Sequence, residues 1–306
     1  MITVVCLSPS LDQTIELPQL VVGGTNRCGE KRTVPGGKGV NVALALRAMG
    51  EETALAFFRH AQGAQPLMHA LQAARVRCLS VDVPGTLRTN LKILDCAAGQ
   101  VTEINAQSEM VPAEAVKEME AQIAQAARES AWLVLTGSMP KGYPVDAYAR
   151  IIRRVRREAP ACRIALDAEG EPFALGATER PDFVKPNRHE LELFAGRALP
   201  DEAAVICAAK TLAARGIGIV LVSLDRDGSV LVTGEGVLRA CAVDVPVVTT
   251  VGAGDALLSG FLHAYSRGME AALRCGVAAA SARVAGRDAA AEEYLLQVEI
   301  RQNTIQ

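Results

Sequence analysis

No apolar run in this 306-residue chain approaches the roughly 20 residues that a helix needs to cross a bilayer, so no membrane partner is expected. The N-terminus lacks a basic segment followed by an apolar one and passes straight into a strand pattern. The eight cysteines, at 6, 28, 78, 96, 162, 207, 241 and 275, include no C-x-x-C, and several lie in strand-like runs such as Val4-Val5-Cys6-Leu7. That argues against a disulfide framework or a zinc site. It predicts free thiols in a reducing compartment and a cytoplasmic location. Basic excess is also missing, with 32 Lys+Arg against 34 Asp+Glu, which argues against a nucleic-acid partner. The one basic run, Arg153, Arg154, Arg156 and Arg157, follows Ile151 and Ile152 in a helical pattern and reads as a solvated helix face. Internal repeats, low-complexity segments and linkers are absent.

Half of the residues are hydrophobic, enough for a sizeable core, and the length suits one large α/β unit with a small appendage. Ile2–Leu7, Ala54–Phe58, Trp132–Leu135, Arg163–Leu166 and Gly218–Val222 are almost continuously apolar, as strands buried on both sheet faces are. Helical patterns lie between them at 38–49, 112–128, 144–158 and 201–215, and an alanine-rich stretch at 271–291 also reads as helix. This alternation predicts an α/β fold with helices on both sides of a mostly parallel sheet. Residues 13–35 and 88–106 break the rhythm with four short alternating segments. They predict a small antiparallel sheet, a discontinuous lid on a single domain spanning 1–306, and a dimer contact.

Two glycine-rich stretches carry the chemistry. Pro35-Gly36-Gly37-Lys38-Gly39-Val40-Asn41 leads into a helix, and its glycines let backbone approach a ligand closely. By itself it is equally a turn entering a helix. A P-loop is excluded by Arg32 and Gly39, and a Rossmann or protein-kinase G-x-G-x-x-G by Val42 and Leu257. In Thr249-Thr250-Val251-Gly252-Ala253-Gly254-Asp255, small residues run directly into an apolar helix, Leu257–Tyr265. The N–H groups of Gly252, Ala253 and Gly254 would meet at a helix N-terminus, where an anion is favoured. Asp255 then stands where a carboxylate can meet an incoming hydroxyl, as phosphoryl transfer requires, or where it simply caps the helix.

The two stretches, taken with their order and separation, resemble the ribokinase/phosphofructokinase-B family of sugar kinases across nearly the whole chain. The branch they look most like is that of phosphofructokinases and tagatose-phosphate kinases. Further matches are Ser8-Pro9-Ser10-Leu11-Asp12, Asn26-Arg27, Arg88-Thr89-Asn90, Thr102–Asn105, Thr136–Gly142 and Lys185-Pro186-Asn187-Arg188-His189-Glu190. The resemblance implies a three-layer ribokinase-like fold with a β-sheet lid. It makes Asp255 the catalytic base and the backbone of 252–254 the anion hole for the γ-phosphoryl group. Asp12, Gly36, Gly37, Asn41 and Asn90 would lie along the sugar. Arg88, Lys38 and Ser138 would hold the acceptor's own phosphate, with Arg27 reaching from the lid, across a homodimer. Lys185, Asn187, Ser223, Gly228 and Thr250 would lie along ATP, and Asn187 and Glu190 would organise Mg²⁺ through water. Loops around 245–250 and 280–287 would hold a monovalent cation, K⁺.

Four departures mark this chain. Asp225 follows Val222-Ser223-Leu224 where the branch has glycine. Asp167-Ala168-Glu169-Gly170 replaces Asp-x-Ser-Gly, Ser8 stands in Leu7-Ser8-Pro9, and Gln107 follows Asn105-Ala106 where a glycine is expected nearby. The expected reaction is transfer of the ATP γ-phosphoryl group to fructose 1-phosphate, ahead of fructose 6-phosphate and tagatose phosphates. A kinase of unphosphorylated sugars or nucleosides would leave Arg27, Lys38 and Arg88 without an anion. A non-catalytic sugar-phosphate or nucleotide sensor is the alternative of another class, kept open by Asp225 and opposed by Asp255.

Overall fold

Burial on both faces makes the apolar runs strands: every residue of Ile2–Cys6 and Trp132–Thr136 is buried. The computed structural model of the chain describes residues 1–287 and 291–302. In chain order the strands are β1 (Ile2–Cys6), β2 (Ser10–Leu17), β3 (Lys31–Gly36), β4 (Thr53–Gln62), β5 (Arg77–Thr86), β6 (Thr89–Asp95), β7 (Gln100–Ile104), β8 (Trp132–Thr136), β9 (Arg163–Asp167), β10 (Phe183–Val184), β11 (Ile219–Ser223), β12 (Ser229–Thr233), β13 (Gly236–Ala240) and β14 (Ile300–Gln302). The helices are α1 (Lys38–Ala48), α2 (Gln65–Ala73), α3 (Ala113–Ala127), α4 (Ala147–Glu158), α5 (Gly170–Thr178), α6 (Arg188–Ala195), α7 (Glu202–Ala213), α8 (Ala253–Ala264), α9 (Met269–Val284) and α10 (Ala291–Leu295).

One sheet runs β14-β13-β12-β11-β10-β9-β8-β1-β4-β5. Its strands from β5 to β11 pair in parallel, and β12, β13 and β14 extend it antiparallel. Helices α3 to α7 pack in a core on one face, and α1, α2 and α8 to α10 in a second core on the other. The chain steps from β1 to β4 and β5, then returns to the opposite side of β1 at β8. That reversal opens a crevice at the carboxyl ends of the parallel strands, where ligands bind in such sheets.

The lid is the second sheet, β3-β2-β6-β7. Contrary to the antiparallel expectation, β2 and β6 pair in parallel. The whole of β4 and β5 lies between them in sequence, so no tight hairpin links them. The alanine-rich expectation over 271–291 is also corrected: α9 ends at Val284, and 288–290 lie outside the described residues. The basic run on α4 is a paired surface, with Arg153 on Glu179, Arg154 and Arg157 on Glu158, and Arg156 on Asp182. No helix among the described residues is long and apolar enough to cross a membrane.

Helix α8 is seated by glycine. A Cβ on Gly260 would lie 2.5 Å from Cys275 O, and one on Gly276 2.8 Å from Leu257 O, so α8 and α9 touch backbone to backbone. Gly260→Ala therefore forces the helices apart. Urea denaturation is expected to show a loss of roughly 1–3 kcal/mol, the range for overpacked cores; unchanged stability would mean that the contact yields freely.

Candidate active site

A cavity of about 1030 Å³ opens between the lid and the carboxyl ends of the main sheet. Cys6, Thr136, Asp167, Lys185 and Ser223 line it from the ends or exits of β1, β8, β9, β10 and β11. From the lid come Asp12, Asn90, Lys92 and Glu103. Register puts Asp12 opposite Asn90, and Lys92 opposite Glu103, so all four share one lid face.

Two glycine-entered helices meet over this floor. Gly37, with φ 101°, caps α1, and a Cβ there would come within 3.3 Å of Cys6 Sγ and Pro9 Cα. Gly252, with φ 82°, caps α8 in the left-handed conformation that glycine adopts without strain. Asn41 of α1 donates from Nδ2 to Asp255 Oδ2 of α8 at 2.8 Å. Asp255 is only 6 % exposed, and its side chain does not cap α8. Burial, and then the negative charge of Asp167, push its pKa up to about 6, while the Asn41 bond and the charges of Lys185 and Lys38 pull the other way. The carboxylate is thus poised to take a proton near neutral pH.

The first turn of α8 faces the same cavity, which Gly252, Ala253 and Gly254 all line. Ala253 N–H, one of the three expected donors, instead donates to Thr250 O at 3.3 Å. Gly254 leaves room for Lys185: a Cβ there would sit 3.3 Å from Nζ. A buried ammonium therefore stands beside the helix N-terminus, held by Asp167 Oδ1 at 3.2 Å. Asp167, 1 % exposed, is a functional candidate that sequence reasoning did not single out. Its signal was a carboxylate at the carboxyl end of an apolar parallel-strand run.

Asn187 and Glu190 form a capping box on α6. Asn187 Oδ1 accepts from Glu190 N, and Glu190 Oε2 from Asn187 N, both at 2.8 Å. One carboxylate oxygen is thereby tied to backbone, while Oε1 lies 3.9 Å from Lys38 Nζ. Burial raises the Glu190 pKa, against the lowering by Asn187 N–H, Lys38 and Lys185. Among the described residues no group of three or more His, Cys, Asp or Glu side chains could hold a metal. Glu190 Oε1 and the buried Asp167 Oδ1, the latter paired with the Lys185 ammonium, offer single carboxylate oxygens. That donor set fits Mg²⁺ carried mainly by water and phosphate.

Arg88 donates to Ser8 O at 2.9 Å, Ala106 O at 3.0 Å and Pro9 O at 3.3 Å. These acceptors are neutral; burial lowers the Arg88 pKa, against Cys6 and Asp12, which raise it, and among the described residues the guanidinium makes no ion pair at the cavity wall. Asp12 is held by Ser10, Asn90 and Lys92, the last at 2.9 Å. Lys92 was legible in principle: it lies two residues beyond Asn90 on an alternating strand. Ser138, Ser223, Gly228 and Thr250 line the cavity.

Two expected residues do not line it. Gly36 sits behind, where a Cβ would meet Asp12 Oδ1 at 2.3 Å, so its part is to leave room for that carboxylate. Arg27 is exposed in the loop after β2, and its reach to a phosphate is not made within one chain. Asp225 does line the cavity, with φ 50°, a left-handed backbone that suits the glycine it replaces. The loops expected to hold K⁺ are tied by their own bonds: Val284 O accepts from Val248 and Thr249 N–H, and Val251 O from Arg283 Nε at 2.9 Å.

A family model described as pfkB family carbohydrate kinase matches residues 5–293. The 1-phosphofructokinase of Rhodobacter capsulatus is 35% identical over 89% of this chain and 85% of its own. That of Haloferax volcanii is 37% identical over 94% and 91%. Phosphofructokinase-2 from Escherichia coli, solved with fructose-6-phosphate and with potassium, superposes with a TM-score of 0.88 at 26% identity, covering 97% of this chain and 98% of that one.

Proposed function

The chain belongs to the pfkB family of carbohydrate kinases, and from that premise we propose that it transfers the γ-phosphoryl group of ATP to fructose 1-phosphate, giving fructose 1,6-bisphosphate. The observation that carries this reading is the buried Asp255 at the start of α8, bonded to Asn41 in a cavity that also presents Lys38, Arg88 and Lys185. The named relatives supply the acceptor: both are 1-phosphofructokinases.

In this mechanism Asp12, Asn41 and Asn90 hold the sugar's hydroxyls, with Gly37 letting the backbone approach. Arg88, Lys38 and Ser138 hold the acceptor's phosphate, where a charge-assisted contact is strongest. That leaves the free hydroxyl facing Asp255, which takes its proton as the hydroxyl oxygen bonds to the γ-phosphorus and the bond from that phosphorus to the bridging oxygen breaks, releasing ADP. The α8 N-terminus and Lys185 stabilise the charge on the migrating group. Asn187, Ser223, Gly228 and Thr250 lie along ATP. Glu190, its side chain locked by Asn187, would hold Mg²⁺ through water, and the ion would supply charge neutralisation to the phosphates. A monovalent cation, K⁺, in the loops around 245–250 and 280–287 is supported by the Escherichia coli neighbour solved with potassium, and no step here uses it. The eight cysteines, all free, support a cytoplasmic setting.

The lid supports a homodimer as the finer reading of its partners. Val34 (38 %) and Val101 (57 %) are exposed, and register puts both on the face that carries Asp12 and Asn90. A second lid would cover them and bring its Arg27 toward this cavity.

Coupled turnover assays over fructose 1-phosphate, fructose 6-phosphate, tagatose 6-phosphate and unphosphorylated fructose test the reaction. Fructose 1-phosphate is expected to give the highest kcat/KM, and Asp255→Asn to lower kcat by about a hundredfold or more with nucleotide affinity retained. Binding without turnover for every phosphosugar would establish the sensor instead. For the lid, sedimentation of Val101→Glu is expected to show a monomer where the parent chain is a dimer; a parent that is itself monomeric would refute the dimer.

A further inference from the structure

Lys38 does not wait for its phosphate with an open ammonium. Its Nζ lies 2.5 Å from Glu169 Oε1 and 3.9 Å from Glu190 Oε1, and all three side chains line the cavity. The two carboxylates differ in what holds them. Glu190 is 9 % exposed and fixed by its capping box, whereas Glu169 is 64 % exposed and, among the described residues, has Lys38 as its one polar partner. Glu169 occupies the N-cap of α5, a position where Ser, Thr, Asp or Asn normally accepts a first-turn N–H, yet it makes no such bond. Its longer side chain turns away from the helix and reaches across to α1. This residue also stands where the resemblance leads one to expect serine, which would cap α5 and leave Lys38 without this partner.

We infer that Glu169 is a specificity-determining residue, an internal anion that occupies Lys38 until the acceptor's phosphate displaces it. The inference rests on Lys38 being the phosphate contact proposed above. Binding then becomes an exchange of one anion for another at a single ammonium. A phosphate brings up to two negative charges and three acceptor oxygens against one carboxylate, so it wins the exchange. Released, Glu169 swings into water at small cost, because it is exposed and nothing else holds it. A sugar without phosphate leaves the pair closed. The carboxylate thereby weakens binding of every anion at Lys38, and only a strong one overcomes it.

Steady-state kinetics and inorganic-phosphate titration by calorimetry on the full chain test this with Glu169→Gln, Lys38→Met and the double variant. Glu169→Gln is expected to lower KM for fructose 1-phosphate about threefold to tenfold, more than it changes kcat, and to tighten inorganic phosphate by a similar factor. Lys38→Met weakens phosphate, and in that background Glu169→Gln has no further effect. If Lys38→Met binds inorganic phosphate as well as the parent chain does, the phosphate role of Lys38 is wrong and the inference falls with it. If Lys38→Met weakens binding but Glu169→Gln leaves KM unchanged or raises it, Lys38 is the anchor and Glu169 is not its competitor. A raised Mg²⁺ requirement in Glu169→Gln without the fall in KM overturns the inference in favour of a metal role.

Discussion

The hydrogen bond from Asn41 Nδ2 to Asp255 Oδ2 joins the two helices on which the site depends. Each enters from a glycine with positive φ, Gly37 before α1 and Gly252 before α8. Each is seated by a contact that no side chain permits: Gly39 against Cys6 for α1, Gly260 against Cys275 for α8. The carboxylate that results is buried, singly bonded and next to a helix N-terminus. Alone, Asp255 could be read as a helix cap. The geometry removes that reading, since its side chain points into the cavity and bonds to another helix.

Around this bond the cavity balances charge over short distances. Asp167 raises the Asp255 pKa, while Lys185 and Lys38 lower it, and Lys185 is itself paired with Asp167. The acids Asp167, Glu169, Glu190 and Asp255 outnumber Lys38 and Lys185 there. That local excess of negative charge suits a reaction that brings Mg²⁺ with its phosphates. Lys38 is paired with Glu169 and Lys185 with Asp167, so in the proposed mechanism each lysine exchanges a carboxylate for a phosphate as ligands arrive.

Much of this was legible in the sequence because parallel strands buried on both faces leave continuous apolar runs, and glycines needed for backbone approach cluster. The strands from Ile2, Trp132, Arg163 and Ile219 and the four lid segments all read correctly by type. The parallel pairing of β2 with β6 did not, because alternation within each strand carries no direction. Strands β5, β10 and β12 to β14 and helices α2 and α5 were missed: β5 mixes buried and exposed residues over its ten positions, and the others are short. In the site, Asp255, Asn41 and Glu190 were legible through motifs. Asp167, Glu169 and Lys92 depend on where loops and register bring them, which motifs do not encode. Arg27, expected to reach across a dimer, lies outside its own chain's cavity.

The claim that Asp255 must be ionised to accept the hydroxyl's proton is tested most directly by kcat against pH with both substrates saturating. The base is active only when deprotonated, and burial holds its pKa up to about 6, so kcat is predicted to be level above pH 7 and to fall about tenfold per unit below the pKa. A kcat that stays level down to about pH 4, the ordinary aspartate range, would contradict the account.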